Sequence, residues 1–518
     1  MPISAALPVS EPSQDVSVSG GVSSVPPSLF AVGLAVSLLG LLTTNPWLTF
    51  GSLVTLPILV WLTWRPGEPP LLLFVVGFQW LQATAKVFHA DLLGIAVKDL
   101  VLFASVEPPQ AEKAIWLSLA GLVVIAVGIR LVLRRVQVES PDVLSKQVEG
   151  FSIPKAFLLY LALTVSLTAA YGVAVYIGPL RQIVLGILLL KWSGFYLLAY
   201  LVFSRKSGYA FFLAAFAIEF IGGIGFFSGF KQVIFVSVIA FFSVGRQLTI
   251  GTALKGFAVV ALLGVLGLGW TSIKSEYRAT ISGGMDRQGS VVSQEEQINL
   301  LVDMVGDLSG EDLVEGLDPL LQRIAYVDFF GYVLNAVPSV VPHADGVQWA
   351  GAVRHILIPR LVWPSKPPVA PDSQVTSQYT GIYLAGSEGE GGTSISIGYM
   401  GESYIDFGLV GMFVPIFMLG VGWGLIYLFF VRRADNLVLG YAYSVAVLMS
   451  AYQLEVAAVK LLGGVVMKLI VVGLIMRYTQ SWLQNWLQAE EAYSEEEEPD
   501  GVYELEATGP GRVWGWRA

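Results

Sequence analysis

Residues 395–430 read ISIGYMGESYIDFGLVGMFVPIFMLGVGWGLIYLFF, and this stretch passes from a polar segment directly into a long apolar run. A helix needs roughly 20 predominantly apolar residues to cross a bilayer. The run from about 405 to 431 has that length and therefore predicts a membrane-spanning helix. Two carboxylates, Glu402 and Asp406, lie at its start among four glycines.

Apolar runs of similar length recur along most of the chain. Only 13% of the 518 residues are charged, whereas soluble domains carry about 25%. Strand-like alternation is not evident, which disfavours a β-barrel. We therefore predict an all-α, polytopic membrane protein with about twelve spans. They lie at roughly 29–44, 47–64, 70–88, 114–133, 156–177, 182–203, 209–227, 230–245, 253–271, 405–431, 438–456 and 460–477.

The distribution of basic residues predicts the orientation of these spans. Short cytoplasmic loops carry an excess of Lys and Arg. With the N-terminus in the cytoplasm, thirteen basic residues fall on inner loops and flanks, and six fall on outer ones. The inner set is Arg65, Arg130, Arg134, Arg135, Lys146, Lys155, Arg205, Lys206, Arg246, Lys255, Arg432, Arg433 and Arg477, and the outer set is Lys86, Lys98, Lys113, Arg181, Lys231 and Lys460. Both termini are thus predicted to be cytoplasmic.

The same orientation divides the chain into five regions. Residues 1–28 contain no Lys or Arg, unlike a signal peptide, and are expected to be a disordered cytoplasmic leader. Spans one to nine occupy 29–271, and spans ten to twelve occupy 405–477. Between them, 272–404 forms a long extracytoplasmic loop. Residues 478–518 are expected to form a cytoplasmic interfacial helix, from Trp482, Leu483, Trp486 and Leu487, and then a disordered acidic tail.

The loop segment is polar but has helical signals. Ser293, with Glu296 three residues later, predicts a capping box. Asp318 and Pro319 predict a second helix start, with a side-chain cap and proline at the first position. The run VQWAGAVRHILIP, residues 347–359, predicts a third helix, and WPSKPPVAP, residues 363–371, then forces extended backbone.

The residue inventory excludes several chemistries. The chain has no Cys and three His, so thiol catalysis and His-rich metal sites are ruled out. Walker and Rossmann glycine patterns are also missing, and we expect no metal, no cofactor and no nucleic-acid partner. What remains is a set of cations on the outer side, which suit a lipid-linked phosphate or diphosphate. They are Lys231, Lys274, Arg278, Arg323, Arg354, Arg360 and Lys366.

Each of these groups also has a structural interpretation. Lys231 could anchor a helix end, and Lys274 and Arg278 could pair with the sixteen carboxylates of 272–404. Charges near mid-bilayer usually face a cavity or one another. A pair between Glu219 and either Lys191 or Lys468 would therefore fix the bundle or serve transport.

Three motifs together carry a resemblance to a known family. They are SGFKQ at 228–232, IPRLVWPSKPP at 358–368 and TSISIGYMGESYIDFGLVG at 393–411. The set resembles the bacterial O-antigen and oligosaccharide repeat-unit polymerases, in order and topology over most of 29–477 and in specific motif over about 358–411. Lys231 stands where an arginine is common in that family. The related O-antigen ligases share this order of motifs and this topology.

The resemblance implies a membrane-embedded glycosyltransferase of GT-C-like architecture in the bacterial inner membrane. A glycan on undecaprenyl diphosphate would be the donor, and a lipid-linked repeat unit would be the acceptor, without a metal. Partners would include a flippase and chain-length-control proteins of a polysaccharide export system. Glu402, Arg278 and Arg323 would be catalytic. The substrate-binding set would be Lys231, Lys274, Arg354, Arg360, Lys366 and Tyr404.

Alternatives remain at this point. An O-antigen ligase-like transferase, a polysaccharide transporter or flippase, and an export scaffold fit the same composition. At the start of span ten, Asp406 would cap the helix end while Glu402 pairs with a loop arginine. In the functional alternative, Glu402 is an acceptor-orienting group or general base and Tyr404 contacts sugar.

Overall fold

The computed structural model describes residues 25–101, 110–136, 141–174, 187–224, 229–244, 249–283, 291–324, 326–358, 365–384 and 395–488. Across these ranges the protein is all-helical, and its β-pairing is limited to an isolated bridge between Phe151 and Gln488. In chain order the helices are α1 (Pro27–Leu38), α2 (Pro46–Thr63), α3 (Leu71–Leu93), α4 (Ala111–Leu133), α5 (Pro141–Glu149), α6 (Ile153–Ala174), α7 (Lys191–Arg205), α8 (Tyr209–Gly222), α9 (Lys231–Ser243), α10 (Ile250–Ile281), α11 (Gln294–Gly306), α12 (Gly310–Glu315), α13 (Leu317–Ile324), α14 (Val327–Ala336), α15 (Val347–Leu357), α16 (Asp372–Thr380), α17 (Tyr399–Gly411), α18 (Phe413–Arg433), α19 (Leu437–Leu448) and α20 (Ala458–Leu487).

Seven of the described helices are long and apolar enough to cross a membrane: α2, α3, α4, α6, α10, α18 and α20. The protein is thus a helical membrane protein. The other five predicted spans overlap α1, α7, α8, α9 and α19, which have 12 to 15 residues. Helices of that length rise only about 18–23 Å, less than the ~30 Å hydrocarbon core.

Helices α4 and α18 cross closely through glycines. A Cβ on Gly420 would lie 2.2 Å from the carbonyl oxygen of Ile125, and one on Gly128 would lie 2.7 Å from that of Phe417. Only residues without a side chain allow the two backbones to approach this closely. Small residues serve the same purpose in membrane helix pairs generally, where lipid offers no hydrophobic force to drive association.

At one end of the bundle, basic side chains bind backbone carbonyls. Arg65 donates to the carbonyl oxygens of Leu133 (2.8 Å) and Val136 (2.9 Å), where α4 finishes. Lys155 donates to the carbonyl oxygen of Gln488 (2.8 Å), where α20 finishes. Cations are favourable beside the carbonyls that a helix leaves unpaired at its C-terminus.

The helices of the 272–404 segment meet the bundle at the other end of α3. Lys86 Nζ lies 2.6 Å from Asp328 Oδ1, and both side chains are fully buried. One turn later, His89 Nε2 lies 3.2 Å from Asp318 Oδ1. Two polar positions of α3 thus hold α13 and α14 against the bundle.

Within the bundle, one of the pairs considered from the sequence forms. Lys191 Nζ lies 2.6 Å from Glu219 Oε2, and the Tyr160 hydroxyl lies 3.1 Å from Glu219 Oε1. The carboxylate joins α6, α7 and α8, because its two oxygens bind donors from two neighbouring helices. The pair of Glu219 with Lys191, one of the two pairs predicted from the sequence, is therefore present.

Of the three helices predicted in the 272–404 segment, two are confirmed as predicted and the start of the third is wrong. The capping box of Ser293 and Glu296 is confirmed, with both reciprocal hydrogen bonds present. The helix over VQWAGAVRHILIP is confirmed as α15. The cap at Asp318 is wrong, because α13 begins at Leu317 and places Asp318 inside the helix beside His89.

Two helices extend ten residues beyond the predicted span ends. α10 continues to Ile281, ten residues past the predicted end, and carries Lys274 and Arg278 on its last turns. α20 continues without a break to Leu487, so Trp482 and Trp486 stack on the same helix as the last predicted span. The acidic tail and most of the predicted leader lie outside the described residues.

Candidate functional site

A cavity with several polar groups in a mainly apolar wall lies where α15, α16, α17 and the N-terminal end of α20 meet. Its volume is about 180 Å³, far above the ~10–15 Å³ that a single water needs. The remaining wall is made of small and aliphatic side chains. The polar groups in the wall are Gln348, His355, Asp372, Thr376, Ser396 and Glu402.

The backbone at Gly398 places the start of α17 beside the turn that leads into α20. Gly398 has φ of +84°, which a residue with a side chain rarely adopts, and a Cβ there would lie 2.6 Å from the carbonyl oxygen of Leu454. The next residue, Tyr399, donates its amide to the carbonyl of Val456 (3.0 Å) and its hydroxyl to Gln79 of α3 (2.5 Å). These contacts fix the position of Glu402, one turn further along.

Glu402 is almost completely buried at the cavity wall, with 6% of its surface exposed. Its Oε2 accepts a hydrogen bond from the amide of Ala458 (2.7 Å), the first residue of α20. Burial raises the pKa of the Glu402 carboxyl to about 8. Asp372 and Asp406 act in the same direction, while the Ala458 amide and Lys460 act against it. This carboxyl therefore titrates near neutral pH.

A second carboxylate and a cation stand beside Glu402. Lys460 Nζ, on the first turn of α20, lies 2.5 Å from Asp372 Oδ2, on the first residue of α16. The Asp372 side chain is mostly buried, whereas about half of the Lys460 side chain is exposed. The site thus contains an acid with a raised pKa next to an ion pair, all at the ends of helices.

Asp406 and Glu402 bind the N-termini of two different helices. The Asp406 carboxylate accepts the amides of Gln348 (3.1 Å) and Trp349 (2.8 Å) at the start of α15. Carboxylates are favourable at helix N-termini, where amides are unpaired and the dipole is positive. The expected cap by Asp406 exists, but on α15. Among the described residues, the hydrogen-bond partner of Glu402 is the backbone amide of Ala458 and not an arginine; Arg360 and the side chain of Arg323 lie outside those residues.

Helix α17, which carries both carboxylates and extends to Gly411, is broken at Gly408. This residue has φ of +67° and ψ of −168°, which breaks the helix before α18 begins. The start of this apolar run is therefore broken, with positive φ at Gly398 and Gly408. The span predicted to start at 405 instead starts as α18, after the break.

Two predicted substrate-binding cations lie close to the cavity without lining it. Lys366 is buried, and its ammonium donates to the carbonyl oxygens of His355 and Ile358 at the end of α15. Arg354 is exposed on α15, one residue before His355, which does line the cavity. Lys366 thus stabilises the C-terminus of α15.

Three further residues that were predicted to be catalytic or substrate-binding are Tyr404, Arg323 and Arg360. The Tyr404 hydroxyl is buried and donates to the carbonyl of Val337 (3.1 Å), and its ring packs against His343. It does not line the cavity. Arg360 lies outside the described residues, as does the side chain of Arg323 on α13.

The remaining predicted cations belong to α9 and α10. Phe230, which precedes Lys231, stacks edge-on with Trp270 at 5.3 Å between ring centroids. This contact brings the start of α9 beside the turn of α10 that precedes Lys274, and Arg278 follows one turn later. None of the three lines the cavity that contains Glu402.

The sequence singled out Glu402 but not its neighbours. Asp372 directly follows the proline-rich run, and this position was its only local signal. Lys460 was noted only as a basic flank of the last span. Their pairing joins residues 88 positions apart, so no local pattern could predict it.

The comparison with protein families bears on this region. A family model described as a domain of unknown function (DUF8712) matches residues 72–457. The chain belongs to the DUF8712 family. The matched region contains Glu402 and Asp372. It ends one residue before Ala458, whose backbone amide donates a hydrogen bond to Glu402. No curated protein and no solved structure matches the chain.

Proposed function

We propose that this DUF8712 protein is a membrane-embedded glycosyltransferase that polymerises undecaprenyl-diphosphate-linked repeat units at the outer face of the bacterial inner membrane. The observation that supports this proposal most is Glu402. It is a buried carboxyl with a pKa of about 8, in the wall of a cavity, on the segment that resembles the repeat-unit polymerases. A general base works best when its pKa is close to the working pH.

In the proposed reaction, Glu402 removes the proton from an acceptor sugar hydroxyl. The hydroxyl oxygen then forms a bond to the anomeric carbon of the donor glycan. The bond from that carbon to the diphosphate oxygen breaks, and the undecaprenyl diphosphate leaves with the electron pair. Because this leaving group is already stable, the protein's task is to position the acceptor and stabilise developing negative charge.

The cations near the cavity suit the leaving diphosphate. Lys460 stands on the first turn of α20, and Arg354 lies exposed on the adjacent α15. The ion pair with Asp372 holds the Lys460 ammonium beside Glu402, and incoming phosphate oxygens would add to its contacts. Lys231, Lys274 and Arg278 form a second cationic group that would receive the other lipid-linked substrate.

The proposed topology has twelve spans, cytoplasmic termini and an extracytoplasmic 272–404 segment. Two structural observations support it. Arg65 and Lys155 bind carbonyls at one end of the bundle, whereas α13 and α14 contact α3 at the other. An excess of basic residues is typical of the cytoplasmic side.

Cysteine labelling tests this topology directly, because the natural chain contains no cysteine. A Cβ on Gly310 meets nothing within 4 Å, so Gly310→Cys leaves the fold intact. We expect a membrane-impermeant maleimide to label this variant in intact spheroplasts as completely as in lysed membranes. Labelling only after lysis would place the segment in the cytoplasm and contradict both the topology and the function.

Polysaccharide profiling in a deletion strain tests the function. We expect loss of the gene to leave single repeat units on the lipid or on the cell surface, and the plasmid-borne gene to restore long chains. Unchanged chain length would contradict the polymerase. Accumulation of intact polymer on the lipid carrier would instead identify a ligase, and trapping of the repeat unit on the cytoplasmic side would identify a flippase.

A further inference from the structure

An apolar groove runs between α18 and α20, well apart from the Glu402 cavity. Its volume is about 560 Å³, and the walls of the groove include Leu425 and Phe429 on α18 and Ile470 and Leu474 on α20. Gly473 keeps the groove open, because a Cβ there would approach the Phe429 ring to 3.3 Å. In a membrane such a groove is filled by hydrocarbon.

One end of the groove is positively charged. Arg477 lies at this end and is the only charged residue in the lining among the described residues. The Arg433 guanidinium lies 6.0 Å from the centroid of the Phe429 ring, on the same side. In the described part of the chain, Arg477 makes no ion pair with a carboxylate. Asp435, two residues past the end of α18, accepts the Ser481 hydroxyl (2.8 Å).

The position of Arg477 along α20 corresponds to a lipid headgroup. It follows Ala458 by nineteen residues, a rise of about 28 Å, which nearly equals the ~30 Å hydrocarbon core. Tyr478 and Trp482 follow immediately and are largely exposed. Aromatic residues of this kind are enriched where membrane meets water. Arg477 is thus placed at headgroup depth while the groove runs into the hydrocarbon.

We propose that this groove binds an anionic phospholipid, with an acyl chain against Phe429 and Leu474 and its phosphate on Arg477. Apolar walls alone would not distinguish one lipid from another, because all membrane lipids have similar chains. The selectivity comes from the Arg477 guanidinium, which has no carboxylate partner among the described residues: it binds phosphate oxygens in a bidentate manner, and its charge favours a lipid of net negative charge over a zwitterionic one. A basic residue near the surface contributes about 1 kcal/mol toward an anionic lipid, roughly a fivefold preference.

Lipid quenching on the full chain in vesicles tests this proposal. A bimane fluorophore is attached to Leu474→Cys, in the groove, or to Leu254→Cys on α10. Leu254 is a stringent control, because it is similarly exposed and has Lys255 next to it, but it does not line the groove. The vesicles are phosphatidylcholine with a minor fraction of brominated phosphatidylglycerol, or of brominated phosphatidylcholine.

We expect brominated phosphatidylglycerol to quench the fluorophore at 474 several-fold more than at 254, and brominated phosphatidylcholine to quench both equally. Arg477→Gln should lower quenching at 474 to the level at 254, while Arg477→Lys should retain part of the difference. Equal quenching at both sites, or no effect of Arg477→Gln, would overturn the proposal. Cross-linking of Leu474→Cys into dimers with no lipid preference would show that a second copy fills the groove and would also overturn it.

Discussion

Replacement of Glu402 by Gln is expected to abolish polymer formation while leaving the protein folded. The amide oxygen of Gln still accepts the Ala458 amide, so the contact that positions α20 is preserved. What disappears is the ability to take a proton from the acceptor hydroxyl. Loss of a general base typically reduces a rate by about 10²–10⁴-fold, which would reduce long polysaccharide to single repeat units in the chain-length profile.

The pH dependence separates catalysis from stability. With a pKa of about 8, only roughly a tenth of Glu402 is ionised at pH 7, so the wild-type rate should rise with pH and level off above about 8. The effect on stability has the opposite sign. The folded protein holds this proton to a higher pH than an unfolded glutamate does, so the free energy of unfolding falls as pH rises from about 4.5 to about 8.

The Gln variant should therefore be at least as stable as the wild type at pH 8, although it is inactive. Thermal unfolding in detergent and chain-length profiling measure the two properties separately. Normal polymer from the Gln variant would end the catalytic role of Glu402. Loss of the folded protein would show that the carboxyl serves only to hold α17 against α20.

Replacement of Gly420 by Leu is expected to destabilise the helix bundle strongly. Its Cβ alone would overlap the carbonyl oxygen of Ile125 at 2.2 Å, and backbone cannot move aside as a side chain can. α4 and α18 would have to separate, which would also release the contact at Gly128. Overpacking of a close-packed site typically costs about 1–3 kcal/mol and occasionally more.

Gly422 provides a matched control two residues away on the same helix. A Cβ on Gly422 meets nothing within 4 Å, so Gly422→Leu should keep the unfolding temperature and the gel-filtration profile of the wild type. Gly420→Leu should lower the unfolding temperature in detergent or yield aggregated protein. Equal stability of the two variants would contradict a close approach of the α4 and α18 backbones at Gly420.

Local patterns in the sequence predicted local structure well. Ser293 and Glu296 form their capping box because both partners lie within one helical turn. The glycines at 398 and 408 adopt positive φ, which the sequence allows by leaving out a side chain at these positions. Apolar runs predicted where helices lie. They did not predict where helices end, because a break such as that at Gly408 depends on backbone dihedrals and hardly changes the hydropathy of the run.

The candidate site was only partly predictable, because its parts come from distant points of the chain. Glu402 could be identified from the sequence because a carboxylate at the start of a long apolar run is unusual. Its partner amide at Ala458 is 56 positions away, and the ion pair of Asp372 with Lys460 spans 88. The pKa of Glu402 arises from burial by α15, α16 and α20 together, a property of the assembled cavity that no local pattern contains.

Polymerisation by the purified protein tests the proposed activity most directly. Wild-type and Glu402→Gln proteins would be reconstituted in vesicles with lipid-linked repeat units extracted from the deletion strain, and products would be separated by size. We predict a ladder of two or more repeat units with the wild type, stronger at pH 8 than at pH 6, and unconverted single units with Glu402→Gln. Folded wild-type protein that leaves the repeat units unconverted at every pH would contradict the account.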